Sequence, residues 1–462
     1  MSQVTPQQVS DQINSLLENQ ALPFHEVLDP AMVDAAMVAE GVRFNQSLFT
    51  PFLTFCVFLS QVLDRDHSCR AAVARFIVWL AMVGRKPCAP ETGSYCDARQ
   101  RLPLGVVARL VRETAREIDG CASANWLWKG RRVQLVDGTT ASMPDTPENQ
   151  KVFPQSRAQK PGLGFPTVRI VALISLATGV VRDLALGPCR GKETGELALF
   201  RELWGGLEAG TVVLGDRYFA SYFGIAGLAK LDVDVLFRMH QARKCDFRRG
   251  CRLGLRDHVV TWAKPKRPQG MNQETYDRMP DQLVLRELRV SIHQRGFRIN
   301  ELTLVTTMLD AAVYSKADLA NLFLERWNIE LDLRSIKVAL QMDVLRCKTP
   351  DMVKKEIWMH MLAYNLIRGM MARAAAGAEV LPRHLSFKGA LQTMAAFQDV
   401  LRLATPSLRG RLLALMLEMI ARHQVGDRFG RVEPRANKRR PKPQRYLTEP
   451  RPQARKRLLA KR

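Results

Sequence analysis

Apolar residues set the first rhythm of the chain. Ala72, Phe76, Trp79, Leu80 and Val83 recur at steps of three and four, and the stretch from Val106 to Ile118 repeats the spacing. The run from Leu48 to Leu63 is more apolar still. It is interrupted by Thr50, Pro51, Thr54, Ser60 and Gln61 and stops at Asp64, so it reads as a buried helix. Little alternates before residue 126, and a helical N-terminal domain over 1–126 is expected. Within it, the stretch from Gly93 to Leu102 opens either a DNA-contacting helix or a solvated helix face.

The rhythm changes at Arg131. Val133 and Leu135 lead to Asp137-Gly138 as a strand running into a turn. Val168 to Ser175 and Val180 to Leu186 read as two strands joined at Thr178-Gly179. A helix is expected from Glu193 to Trp204, then a short buried strand from Thr211 to Asp216, a helix, and a strand from Val233 to Phe237. Strands and helices in this order predict an α/β core with a mixed sheet. Between 244 and 310 alternation returns, with Leu288, Val290 and Ile292 set against Arg289, Ser291 and His293. Helices follow to about residue 430. The expected division is a helical domain at 1–126, a core in two parts at 127–243 and 311–376, a β insertion at 244–310, helices at 377–430, and a basic disordered tail at 431–462.

Composition supports a large folded core, since 47% of 462 residues are hydrophobic and 25% charged. The net charge of +24 changes the picture, because it calls for a polyanionic partner. Close to half of it sits in the tail, where thirteen Lys and Arg face two Glu. A membrane surface is the weaker reading of that charge. No segment reaches the ~18 uninterrupted apolar residues of a span, and the N-terminus lacks the pattern of a signal peptide. A cytoplasmic, nucleoid-associated location is expected. The nine Cys have no CxxC spacing, so reduced and mostly buried thiols are expected rather than disulfides or a zinc finger.

Two carboxylates carry candidate chemistry because Asp137 and Asp216 each close an apolar strand. Neighbouring acids at such positions repel unless a divalent cation lies between them; turn or helix caps are the commoner use of strand-end Asp. A third acid lies in the helix expected over 322–337. At 100° per residue from Phe323, Arg326, Glu330, Arg334 and Lys337 fall between about 300° and about 20°. Leu322, Ile329, Leu333, Ile336 and Leu340 cluster at about 220° to 280° as a core stripe, and Asp332 stands at about 180°. Glu330 is therefore the better ligand candidate. Three bases around one acid suit a carboxylate that holds a cation while its neighbours hold phosphates. A salt-bridged exposed face with Glu330 and Arg334 paired is the alternative.

The spacing Phe323-x2-Arg326-x3-Glu330-x6-Lys337 resembles the Tyr-x2-Arg-x3-Glu-x6-Lys signature of DDE transposases of the insertion sequence 4 family. Asp137 in Leu-Val-Asp-Gly-Thr-Thr and Asp216 in Leu-Gly-Asp-Arg-Tyr-Phe resemble that family's two Asp motifs. Phe153-Pro154-Gln155-Ser156 and the run from Pro161 to Pro166 extend the likeness, which covers about 130–370. The resemblance implies a ribonuclease-H-like catalytic core with an inserted β subdomain, flanked by helical N- and C-terminal regions. It implies that Asp137, Asp216 and Glu330 bind two Mg²⁺ ions, with Mn²⁺ as a substitute, and that Phe323, Arg326 and Lys337 contact DNA. Arg334 joins the DNA contacts on helix geometry. The implied activity is cut-and-paste transposition. Transposon terminal inverted repeats and target double-stranded DNA would be the partners, and the active complex a homodimer; the helices at about 384–423 read either as its interface or as a capping helical layer.

One departure stands out. Phe323 replaces the signature Tyr, which keeps a ring and loses a hydroxyl. The family also tends to hold a flipped base with an aromatic of the insertion; Trp262 is a candidate by position, against the reading of a packed core Trp. A metal-dependent nuclease of the same fold and an inactive DNA-binding relic remain as alternative functions.

Overall fold

The computed structural model describes residues 30–42, 48–82, 84–291, 301–426 and 445–460. Five helices open it: α1 (Pro30–Ala39), α2 (Pro51–Leu63), α3 (Cys69–Met82), α4 (Gly93–Arg101) and α5 (Leu104–Gly120). Thr50 caps α2 through a bond from the Leu53 backbone N–H, and Pro51 fits its first turn. The stretch at 93–102 does form a helix. Its Tyr95 and Arg99 are buried, and both donate to Gln61 Oε1 (2.7 and 3.0 Å), so these two side chains serve packing.

A single mixed sheet follows, ordered β3-β2-β1-β4-β5-β9-β8-β7-β6. Strands β1 (Val133–Ser142), β2 (Thr167–Ser175) and β3 (Val181–Pro188) form an antiparallel meander, while β4 (Val212–Gly215) and β5 (Asp234–Arg238) run parallel to β1. This is the ribonuclease-H-like order. All four residues of β4 are buried, as an apolar strand covered on both faces must be. Gly179 (φ +82°) turns the β2–β3 hairpin and lies against the Arg368 guanidinium.

Strand β1 corrects one expectation. Asp137-Gly138 is not a turn. The strand continues to Ser142, held along its length by β2, with Asp137 opposite Ala172. What ends after Leu135 is the pairing with β4.

The β-rich stretch after residue 243 is continuous with the core sheet. β6 (Cys251–Gly254), β7 (Asp257–Ala263), β8 (Gln282–Ser291) and β9 (Glu301–Thr306) pair in succession, and β9 adds to β5 with Phe237 opposite Val305. Residues on alternating positions feed two cores. Leu135, Ile170 and Leu214 face one side, with the N-terminal helices and the long helix described next. Val136, Val171 and Val213 face the other, with α7 (Glu196–Glu202) and α8 (Tyr222–Ala229); α6 (Pro147–Val152) and α9 (Gln273–Asp277) are short connectors.

After β9 come α10 (Lys316–Leu324), α11 (Trp327–Arg334), a π-helical turn (Ser335–Ala339) and α12 (Pro350–Gly377). Helix α12 is buried on nearly every side, and its Leu, Ile, Met and Ala residues lie all around the axis. Helices α13 (Phe387–Leu403) and α14 (Pro406–Arg422) cover it. Among the described residues no helix is long and apolar enough to cross a membrane, and all nine Cys are free thiols. The tail expected to be disordered lies partly outside the described residues. Within it, Arg451–Leu459 forms a helix, α15, with no buried residue. Its Arg, Lys, Leu, Gln and Ala are good helix formers.

Candidate active site

The parallel pairing of β1 and β4 sets Leu135 beside Leu214. Asp137 stands two residues beyond that pair on β1, and Asp216 two residues beyond it, just past the end of β4. Both are anchored locally: Asp137 Oδ1 accepts from the Gly138 N–H at 2.8 Å, and Asp216 Oδ1 from the Tyr218 N–H at 2.7 Å. Asp137 shares the sheet face of Leu135 and Ala141, the face that α10 and α11 cover.

The expected single helix over 322–337 is broken in two places. Glu325 and Arg326 donate their N–H groups to Leu322 and Phe323, three residues back, which tightens the chain between α10 and α11. The π turn at Ser335–Ala339 widens it at the other end. The core stripe survives both breaks: Leu322, Ile329, Leu333, Ile336 and Leu340 are all buried. The polar stripe does not stay together. Arg326 donates Nη2–H to Glu330 Oε1 at 2.9 Å and places Nη1 3.7 Å from Asp137 Oδ2, so one guanidinium spans two of the three acids. Glu330 thus pairs with Arg326 rather than Arg334. Arg334 is exposed and Lys337 partly so; among the described residues no ion pair joins either to the three carboxylates. Phe323 is 6% exposed within the core, so its ring serves packing and offers DNA no surface.

A fourth carboxylate joins the site from the opposite face of the sheet. Glu196 opens α7 and lies against the Gly138 backbone, where an added Cβ would clash with its Oε1. Burial pushes the Asp137 carboxyl up to about 6, and the charges of Asp216 and Glu196 push the same way, against the Gly138 N–H and Arg326. Glu196 is also raised, by burial and then by Asp216, with Arg169 opposing. Arg238, at the end of β5, faces Asp216 together with Arg217 and Arg326, and its pKa is lowered mainly by burial. Sequence reading missed Glu196 and Arg238. Gly138 after Asp137 was the available signal, since a small residue beside an acid makes room for another chain.

The donor set fits a hard divalent cation. Carboxylate oxygens are the ligands such an ion takes, and the burial that chiefly raises Asp137 and Glu196, with the Asp216 charge adding to it, penalises bare carboxylates in a way that a divalent cation relieves more completely than a lone guanidinium. Trp262 is not placed for base stacking. It is 5% exposed, its Nε1–H donates to Glu287 Oε1 at 2.7 Å, and Arg243 covers its ring at 3.6 Å.

Residues 128–366 match the family model described as the transposase DDE domain. The chain is 28% identical over 445 residues to the transposase InsG for insertion sequence element IS4 of Escherichia coli (strain K12), covering 92% of this chain and 93% of that protein. It is 26% identical over 126 residues to the putative transposase InsZ of the same organism, covering 27% of this chain and 41% of that protein. A piggyBac transposase synaptic complex with hairpin DNA aligns with a TM-score of 0.41 at 9% identity, over 88% of this chain and 85% of that one.

Proposed function

The chain belongs to the transposase DDE domain family, whose members cleave DNA and transfer its strands with divalent metal ions, and on that premise we propose that Asp137, Asp216 and Glu330 are its catalytic carboxylates. The supporting observation is the meeting of Asp137 and Glu330 on one guanidinium beside the strand that carries Asp216. The substrate is a mobile element's terminal inverted repeats, and the product is the element joined to target DNA.

Two Mg²⁺ ions, or Mn²⁺, bound by the three carboxylates would polarise the attacking and leaving oxygens at phosphorus. The chain's own residues do the rest. Asp137 and Asp216 are fixed by backbone N–H groups, so their position costs no reorganisation when substrate arrives. Glu196 adds negative charge from behind the sheet and makes the pocket selective for cations. Arg326 holds Glu330 in place and is the nearest cation to a scissile phosphate. Arg334 and Lys337, further along and more exposed, hold the flanking strand through its phosphates. The N-terminal helical region contributes DNA contacts of its own, and the basic tail supplies attraction without sequence preference.

The active complex is a homodimer that pairs two element ends. Helices α13 and α14 leave Val400, Leu403, Leu408, Leu415 and Met419 exposed, an apolar set that a second copy would cover. The protein acts in the cytoplasm, on nucleoid DNA. Labelled element ends incubated with the protein and Mg²⁺ test the site. Wild type cuts them, and Asp137→Asn, Asp216→Asn and Glu330→Gln bind them without cutting. Cleavage by these variants at the wild-type rate overturns the assignment.

A further inference from the structure

A second cluster of ligand-type side chains lies outside this site, under the loop that leaves β5. Cys245 comes from that loop, while His258 on β7 and Glu287 on β8 are cross-strand neighbours. Their ligand atoms all lie within 4.8 Å of one another, and His258 and Glu287 are buried. His258 Nδ1 is 2.6 Å from the Arg249 carbonyl oxygen, which can only accept, so Nδ1 carries a hydrogen. In the neutral ring Nε2 is then a lone pair. It faces Glu287 Oε2 at 3.1 Å and Cys245 Sγ at 3.7 Å. The other oxygen of Glu287 is taken by Trp262 Nε1–H at 2.7 Å. Two buried acceptors at this separation require something positive between them.

We propose that Cys245, His258 and Glu287 bind one zinc-class divalent cation, separate from the catalytic carboxylates. The spacing suits it. Tetrahedral zinc with ordinary bond lengths puts sulfur and nitrogen about 3.6 Å apart and nitrogen and oxygen about 3.3 Å apart, against the 3.7 and 3.1 Å found. Each non-ligating atom is already occupied, by the Arg249 carbonyl on the imidazole and by Trp262 on the carboxylate, as outer partners of a metal site are. Thiolate, imidazole and carboxylate together select zinc over Mg²⁺. Solvent takes the fourth position. Burial and the Glu287 charge push the Cys245 thiol up, so it is protonated without metal. On binding, the S–H bond breaks, a sulfur–metal bond forms and the proton leaves to water. The cation clips the loop that carries Cys245 and Arg249 onto β7 and β8.

A cobalt(II) titration of the full-length, metal-stripped protein tests this. Wild type is expected to bind one equivalent with a sulfur-to-cobalt charge-transfer band. Zn²⁺ abolishes the band and excess Mg²⁺ leaves it. The band disappears in Cys245→Ser, persists in Cys251→Ala and persists in Asp216→Asn. His258→Gln weakens cobalt binding at least tenfold. Trp262→Phe weakens it by about ten- to a hundredfold, the scale on which outer partners act. Zn²⁺ also raises the thermal midpoint of wild type and not of Cys245→Ser. Absence of the band in folded wild type means that a proton alone links His258 and Glu287, and overturns the proposal. Persistence of the band in Cys245→Ser does the same.

Discussion

Glu330 and Asp332 stand two residues apart on one short helix and serve opposite ends. The Glu330 side chain is 39% exposed and touches a single guanidinium, while that of Asp332 is fully buried. Asp332 accepts from both Nη1 contacts of Arg383 (2.8 and 2.6 Å), from Tyr364 Oη–H (2.9 Å) and from Arg368. Arg383 in turn donates to the Ser175 and Leu176 carbonyls at the end of β2. One acid is thus saturated by donors and ties the helix to the sheet. The other shares one guanidinium with Asp137 and stands half open to solvent. An unsatisfied carboxylate can take a cation; a saturated one can only hold structure.

The most direct way to break this contrast is to neutralise each acid in turn. Asp332→Asn strands the buried Arg368 and the partly buried Arg383 and is expected to cost about 3–5 kcal/mol. Glu330→Gln is expected to cost under about 1 kcal/mol, as a half-exposed pair would. Urea unfolding of both variants decides, and equal losses would erase the distinction.

Acid should act on the two regions with opposite sign. His360, buried on α12 with its ring 5.4 Å from that of His67, is pushed down to about 3 by burial and then by His67. Its folded pKa is depressed, so the stability it contributes is present above its unfolded pKa. That stability is lost as pH falls through the window from the usual 6.5 to about 3, at a total of up to a few kcal/mol. Asp137 is raised from 3.8 to about 6, so in metal-free protein its contribution is present below 3.8 and lost as pH rises through 6. Urea midpoints against pH should therefore flatten on the acid side in His360→Leu. In Asp137→Asn the metal-free protein should gain stability near neutrality.

Gly138→Ala sharpens the comparison within the cleft. The nearest atoms to the new methyl all belong to the flexible side chain of Glu196, which can give way, so stability should change by less than about 1 kcal/mol. The displaced carboxylate should still lower cleavage by about tenfold, a barrier change near 1.4 kcal/mol. Unchanged cleavage would exclude Glu196 from the chemistry. The smallest effect is expected at Arg334→Ala, within about 0.5 kcal/mol in stability. Its signature would be a DNA-binding salt slope shallower by about one unit.

Much of this was legible in the chain. The core stripe of α11, the apolar strands that lead to Asp137 and Asp216, and the succession of strands and helices in a mixed α/β core follow from apolar spacing and turn residues, while the ribonuclease-H-like fold came from the family resemblance. Periodicity failed where hydrogen bonding departs from the regular helix. A constant 100° step cannot anticipate the tightened turn at Glu325-Arg326 or the π turn at Ser335, and it leaves Arg326 and Arg334 equally placed as partners of Glu330. It placed Asp332 off the polar stripe but could not see the arginines that bury it, which come from 36 and 51 residues further on. Glu196 and the group of Cys245, His258 and Glu287 were hidden for the same reason. Each is assembled by the sheet from separate segments, with no local spacing to mark it.

The pairing of β9 with β5 also bears on how the chain folds. Some sixty residues intervene between the two strands, so their pairing closes a long loop in which β6, β7 and β8 lie. Non-local pairing of this kind closes late. The segment bearing Glu330 emerges from the ribosome only after β9, so a nascent chain can display Asp137 and Asp216 in a formed sheet while the third acid is still missing. On the proposed assignment, a chain still on the ribosome holds an incomplete set of carboxylates, and the set closes only when the helix bearing Glu330 docks.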